Sequence, residues 1–137
     1  MVDSERIARE LDRVVRKIDA QMHRRMPAVD CGRIGPMGGL LLMQLQAIQP
    51  CPIQTLATAM GRDNSQLTRL IRDLESKGLL TREPSPSDGR ATILSLTAEG
   101  TEFLKAAKST LASVVDEVVA PLSQEERQTF VSLLGKI

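Results

Sequence analysis

The chain has 137 residues, 42% hydrophobic and 26% charged, a balance that fits one soluble globular domain. Its 18 basic and 17 acidic side chains leave a net charge of +1, so bulk charge gives no support for nucleic-acid binding and any such case rests on local placement. Two Phe with no Tyr or Trp argue against stacking on single-stranded bases, two cysteines exclude a disulfide-rich scaffold, and a single histidine, His23, with no zinc-type spacing supplies no metal site.

Residues 3–26 read as a helix, with Ile7, Leu11, Val14, Val15, Ile18 and Met22 at steps of three and four. Its other face carries Arg6, Arg9, Arg13, Arg16 and Lys17, so so long an amphipathic helix calls for something else to pack against. The segment is charged from its third residue and has no apolar core of a signal peptide. No apolar run approaches the roughly 20 residues of a membrane helix, since Gln44 and Gln46 interrupt "GLLLMQLQAI". The expected location is cytoplasmic.

"PAVDCGRIGP" (27–36) reads as a loop by its Pro, Gly and Asp content. Pro36 suits the first position of the next helix, expected over 36–49, although Gly38 and Gly39 weaken its first turn. "QPCP" breaks it. A short helix over 53–60 turns Ile53, Leu56, Ala57 and Met60 inward, and Gly61 stops it. Asp63 then opens a capping box with Gln66. The helix from 64 to 77 holds Leu67, Leu70, Ile71 and Leu74 on one face, and Gly78 ends it.

"LLTREP" (79–84) reads as a strand, "SPSDG" (85–89) as a turn and "RATILSLT" (90–97) as the returning strand. Thr97 caps a helix over 98–119 that carries Phe103, Leu104, Leu111, Val114, Val115, Val118 and Val119. Pro121 ends it. "SQEE" (123–126) is a second capping box, opening a last helix with Phe130, Val131, Leu133, Leu134 and Ile137. The fold class is therefore mainly α with a small β-hairpin wing. No repeat or low-complexity tract interrupts this order.

Two helices meeting across the tight turn "MGRD" form a helix-turn-helix, and the hairpin directly after makes it winged. In such modules the second helix lies in the major groove. Its outer face here offers Asn64, Ser65, Gln66, Thr68, Arg69 and Arg72, side chains that hydrogen-bond bases and phosphates. The acids Asp73 and Glu75 come later, so the leading end is locally basic while the chain is not. The competing reading is a solvated face on a winged helix that binds protein. An enzyme lacks its motifs here: no HExxH, no phosphate-binding loop followed by Lys, no serine elbow and no second histidine for a triad. No cofactor is implied.

With these residues in place, the chain resembles the MarR family of winged-helix transcription regulators. "TLATAMGRDNSQLTRLIRDLESKGLLTR" is similar to that family's helix-turn-helix, and "SDGRATILSLTAEG" to its wing and following helix, including "LT..G" at Leu96, Thr97 and Gly100. The resemblance implies a single domain over 1–137 in which helices 3–26 and 98–137 dimerise and 36–97 binds DNA. It implies a homodimer on a pseudopalindromic duplex, repression of a promoter, and release by a small apolar or aromatic effector.

By position, Asn64, Ser65, Gln66, Thr68, Arg69 and Arg72 fall where the family touches the major groove. Arg90 falls where its wing enters the minor groove, Asp88 where it would orient Arg90 or pair with it, and Arg62 where it would hold a phosphate. Gly89 stands where the family often has a further arginine, which implies fewer phosphate contacts and a shallower salt dependence. Gly38 and Gly39 stand where an aromatic often roofs the effector pocket, leaving one lined by Met, Leu and glycine.

Cys31, near Arg33, is the candidate redox residue of an oxidation-released repressor. Peroxide-sensing relatives support their cysteine with tyrosines, and this chain has none. Cys51 reads as a small buried hydrophobe. His23 reads as a surface or interhelix residue.

Overall fold

A computed structural model describes residues 1–26 and 31–137, with the side chains at 31–33 and 36 left aside. The elements follow the order α1 (Ser4–Arg25), α2 (Cys31–Ile48), β1 (Cys51–Pro52), α3 (Ile53–Met60), α4 (Asn64–Ser76), β2 (Leu80–Pro84), β3 (Thr92–Leu96), α5 (Ala98–Val118) and α6 (Gln124–Leu134). The chain divides into two compact units, one of residues 26–108 and one of 1–25 with 109–137.

The unit of residues 26–108 holds the helix-turn-helix and hairpin. Its core is built from Leu41, Leu42 and Leu45 of α2, Leu56 and Ala57 of α3, Leu67, Ile71 and Leu74 of α4, and Leu80 and Leu94 of the strands, all buried. These are the residues that helical and strand periodicity places inward. α4 packs on α3, α2 and β2. The sheet has the order β1-β3-β2, with both pairings antiparallel. In the hairpin Leu80 faces Leu96, Arg82 faces Leu94 and Pro84 faces Thr92.

Three expectations need correction. Helix α2 begins at Cys31, not near Pro36, but Gly35 interrupts it with φ 70 and ψ 173. That left-handed φ is open to glycine at little cost, so two helical segments meet where composition alone reads a loop. The segment 27–30 lies outside the described residues. The residues after the break at Ile48 form β1, a two-residue strand that pairs Cys51 with Leu94 and Pro52 with Ile93. The returning strand begins at Thr92, not at residue 90, because Arg90 and Ala91 belong to the turn.

The wing joins α5 through a short set of contacts. Thr97 Oγ1 donates to the Gly78 carbonyl at 2.6 Å and accepts the Gly100 N–H at 2.9 Å. The Thr97 N–H donates to the Leu79 carbonyl at 3.2 Å. Gly100 sits so close to that carbonyl that a Cβ on it would lie 2.0 Å from the Leu79 oxygen. This is the physical content of "LT..G": a helix cap, and a residue without a side chain where the backbones touch.

The other unit contains α1, the latter part of α5, and α6. Arg25 Nη1 donates to Ser113 Oγ at 3.2 Å, and its guanidinium pairs with Glu117. Ser123 caps α6 by accepting the Glu126 N–H at 3.1 Å, while Glu126 accepts the Ser123 N–H at 2.9 Å. No residue of α1 or α6 is buried. Ile7, Leu11 and Val15 are 49%, 54% and 58% exposed, and their spacing of four makes one stripe along α1. Val131 and Leu133 are likewise exposed on α6. No helix among the described residues is long and apolar enough to cross a membrane.

Candidate nucleic-acid interface

The turn from α3 to α4 closes with Gly61 in the left-handed region, its N–H on the Ala57 and Thr58 carbonyls. Asp63 follows in an extended conformation and caps α4, its own N–H donating to Gln66 Oε1 at 3.2 Å. The capping box leaves a helix whose first turn carries no acid. The positive end of the backbone dipole meets the Asp63 cap, with Arg62 just before it and Arg69 and Arg72 further along the helix.

On that helix Asn64, Ser65, Gln66, Arg69 and Arg72 are exposed and Thr68 is half-buried. The structure thus brings the six onto one surface beside exposed Arg62. Two of the six are already engaged. Gln66 spends its carbonyl oxygen on the cap, leaving its amide N–H groups. The Thr68 hydroxyl donates to the Asn64 carbonyl at 2.7 Å and keeps its lone pairs.

Arg13, Arg16, Arg25, Arg82 and Arg127 each hold a carboxylate. Among the described residues, Arg6, Arg9 and Arg24 of α1 and Arg62, Arg69, Arg72 and Arg90 hold none within ion-pair distance, and the last four lie on the helix-turn-helix and its wing. Arg72 lies near enough to Glu75 to feel its charge. On α4, Asp73 pairs with Lys77 at i, i+4, 2.9 Å apart, whereas Arg69 and Arg72 take no carboxylate within ion-pair distance.

At the wing tip, Ser85 N–H donates to the Ala91 carbonyl at 2.9 Å, and Ser85 Oγ accepts the N–H groups of Ser87 and Asp88 at 3.4 and 3.3 Å. Asp88 Oδ1 accepts the backbone N–H of Arg90 at 3.1 Å. Asp88 therefore shapes the turn through the main chain, as Asp does in tight turns. No Asp88–Arg90 ion pair occurs among the described residues, and the Arg90 side chain is exposed at the tip.

Sequence reasoning missed one pair. Glu75, on the last turn of α4, accepts from Arg82 Nε of β2 at 3.0 Å, with Nη2 2.9 Å from the same oxygen. The guanidinium holds the Glu75 carboxyl below the ordinary glutamate value. Opposite charges seven residues apart across the Gly78 turn were the available signal.

Cys51 is buried, and that burial raises its thiol pKa, which opposes thiolate chemistry. The side chain of Cys31, the candidate redox residue, lies outside the described residues. His23 is exposed, with Nδ1 3.1 Å from the Asp19 carbonyl of its own helix. No group of three or more His, Cys, Asp or Glu among the described residues is placed to hold a metal ion. A Cβ on Gly38 would lie 2.0 Å from Ile34 Cγ2, whereas Gly39 has open space.

Comparison with known proteins fits this architecture. A sequence profile of the MarR family matches residues 39–92. The uncharacterised HTH-type transcriptional regulator YxaD of Bacillus subtilis is 33% identical over 98 residues, 72% of this chain and 68% of that protein. The chain belongs to the MarR family. The match with another curated relative, the uncharacterised HTH-type transcriptional regulator YdgJ of B. subtilis, is 33% identical over 55% of this chain and spans 46% of that protein.

Among solved structures, the MarR-family fold recurs in a transcriptional repressor, CouR, bound to a 23-mer DNA duplex. It is 27% identical with a TM-score of 0.79, over 97% of this chain and 92% of that one. The reduced form of MarR from Escherichia coli shares the fold at 23% identity and a TM-score of 0.82, over 99% of this chain and 96% of that one.

Proposed function

We propose that this MarR-family chain is a sequence-specific double-stranded DNA-binding transcriptional regulator, a cytoplasmic homodimeric repressor released by a small apolar or aromatic effector. The observation that carries the DNA-binding reading is the placement of four exposed arginines without carboxylate partners on the helix-turn-helix and its wing. Arg62, Arg69 and Arg72 line a capped α4 whose first turn holds no acid, and Arg90 stands at the tip of a hydrogen-bonded wing. In this reading Asn64, Ser65, Gln66, Thr68, Arg69 and Arg72 read base edges and phosphates in the major groove. Arg62 holds a phosphate and Arg90 enters the minor groove. The occurrence of the fold in CouR on a DNA duplex supports the same placement.

The dimer rests on the apolar stripes of α1 and α6, which leave leucine and valine in water and call for a partner surface. In this reading 3–26 and 98–137 supply the dimer contacts and 36–97 the DNA contacts. A twofold dimer would read an inverted repeat with half-sites about one helical turn apart. The effector rests on the family resemblance, with its site expected near Gly38 and Gly39.

The experiment is selection of bound duplexes from genomic fragments at about 150 mM salt, a condition in which non-specific binding is far the weaker. Footprinting with Arg69→Ala and Arg90→Ala follows, and sedimentation gives the mass of the free protein. A protected inverted repeat, lost in both variants and bound by a dimer, supports the reading. Binding indifferent to both changes overturns it.

A further inference from the structure

The hairpin is held at its base and, as far as Ile93, by β1. From Glu83 to Ile93 no residue is buried, whereas Leu80 and Leu94 are fully inside the core. Arg82 lies between these two regimes. It faces Leu94 across the strands, so its side chain leaves the sheet on the core side. There Arg82 Nε donates to one carboxylate oxygen of Glu75, on α4, at 3.0 Å, and Nη2 lies 2.9 Å from the same oxygen. Both side chains are about two-thirds covered, 35% and 30% exposed. A charge-assisted hydrogen bond backed by a second close nitrogen fixes the contact more firmly than a neutral one. The pair thus ties the last turn of α4 to the hairpin at the edge of its uncovered part, with Arg90 on the far side.

We infer that Glu75 and Arg82 are positioning residues: their ion pair holds the wing at a fixed angle to α4, so that Arg90 meets the minor groove while α4 occupies the major groove. The inference rests on the DNA-binding reading above. Neither residue needs to touch DNA. Their effect is preorganisation, which spares the complex the ordering of a loose wing.

Plain electrostatics predicts the opposite sign. Glu75 is a negative charge on the DNA-reading helix, and it partly neutralises Arg72 and Arg82. If charge alone mattered, Glu75→Gln would tighten binding to every duplex. If the pair positions the wing, Glu75→Gln binds non-specific DNA as well or better and loses affinity for the selected site, roughly tenfold, the scale of one lost groove arginine.

The test is a double-mutant cycle on the duplex that the wild-type protein selects from a random library. Affinities of wild type, Glu75→Gln, Arg90→Ala and the double variant are measured on that duplex and on a scrambled one. Glu75→Asp, which keeps the charge and shortens the reach, serves as the second variant should Glu75→Gln fold poorly by circular dichroism.

The expected result is weaker specific binding by Glu75→Gln, weaker specific binding by Glu75→Asp with unchanged binding to the scrambled duplex, and a double variant no worse than Arg90→Ala alone. Additive losses, or tighter binding to both duplexes by Glu75→Gln, overturn the inference and leave the DNA-binding reading intact. A wild-type protein that selects no duplex overturns both.

Discussion

Gly100→Ala is a substitution for which propensity and packing disagree in sign. In an open helix, glycine to alanine gains up to about 1 kcal/mol. Here the new Cβ would sit 2.0 Å from the Leu79 carbonyl oxygen and 3.0 Å from its carbon. An ordinary C···O contact is about 3.3 Å or more, so helix α5 or the start of β2 must retreat by more than 1 Å. Both partners are backbone, and no flexible side chain can absorb the shift. The retreat would also stretch the bonds from Thr97 to Gly78 and Leu79, now 2.6 and 3.2 Å.

Overpacking costs typically about 1–3 kcal/mol, and each weakened hydrogen bond about 1 kcal/mol. Set against the propensity gain, the net loss is about 2–4 kcal/mol. For a chain of this size each kcal/mol moves a thermal midpoint by roughly 3–5 °C, so the drop should be about 10 °C. The assay is thermal and urea unfolding at fixed protein concentration, since association would shift the midpoint. Gly89→Ala is the control: nothing lies within 4 Å of its Cβ position and its φ is not in the left-handed region, so it should be neutral or gain up to about 1 kcal/mol. A Gly100→Ala protein as stable as wild type, or more so, would refute the close-approach argument.

Two further outcomes follow from the local geometry. Asp88→Ala removes the acceptor of the Arg90 N–H and should weaken specific DNA binding with little change in melting, whereas Asp88→Asn, which keeps a carbonyl acceptor, should retain most of it. Equal tightening by both variants in a filter-binding titration would mean that Asp88 matters only as a charge. In α5, the hydrogen bond from Arg25 holds the Glu117 carboxyl below its ordinary value of 4.5. A lowered folded-state pKa contributes stability that is present above the unfolded value and lost as pH falls through the folded one. Urea midpoints of wild type should therefore decline as the pH falls below about 4.5, and Glu117→Gln should show a shallower decline. Parallel curves would sever that link.

The parts of this fold legible in the sequence are those decided within four or five residues. The capping boxes at Asp63–Gln66 and Ser123–Glu126, the stop at Gly61 and the turn at Ser85–Asp88 each close a hydrogen bond over three or four positions. Local chemistry suffices to place them, and periodicity then sorts Leu67, Ile71 and Leu74 from Arg69 and Arg72. The polar face of α4 was read this way, whereas Arg90 at the wing came from the family resemblance. The misreading of residues 31–35 has the same origin: Gly and Pro weigh toward a loop, but one left-handed glycine was enough to join two helical segments.

Tertiary structure alone decided what meets across greater separations. Two residues are too few to show alternation, so β1 exists only because β3 offers Ile93 and Leu94 as partners. Gln49 Oε1 accepts the Leu96 N–H at 2.7 Å from 47 positions away, and no local pattern announces it. The approach of Gly100 to Leu79 and the Glu75–Arg82 pair depend on the path that the chain takes after Gly78. A residue's type states what it can bond, and periodicity states which face it occupies. Which partner fills that capacity across the fold is settled when the elements pack, as where Arg82 meets Glu75 and Arg127 meets Asp116.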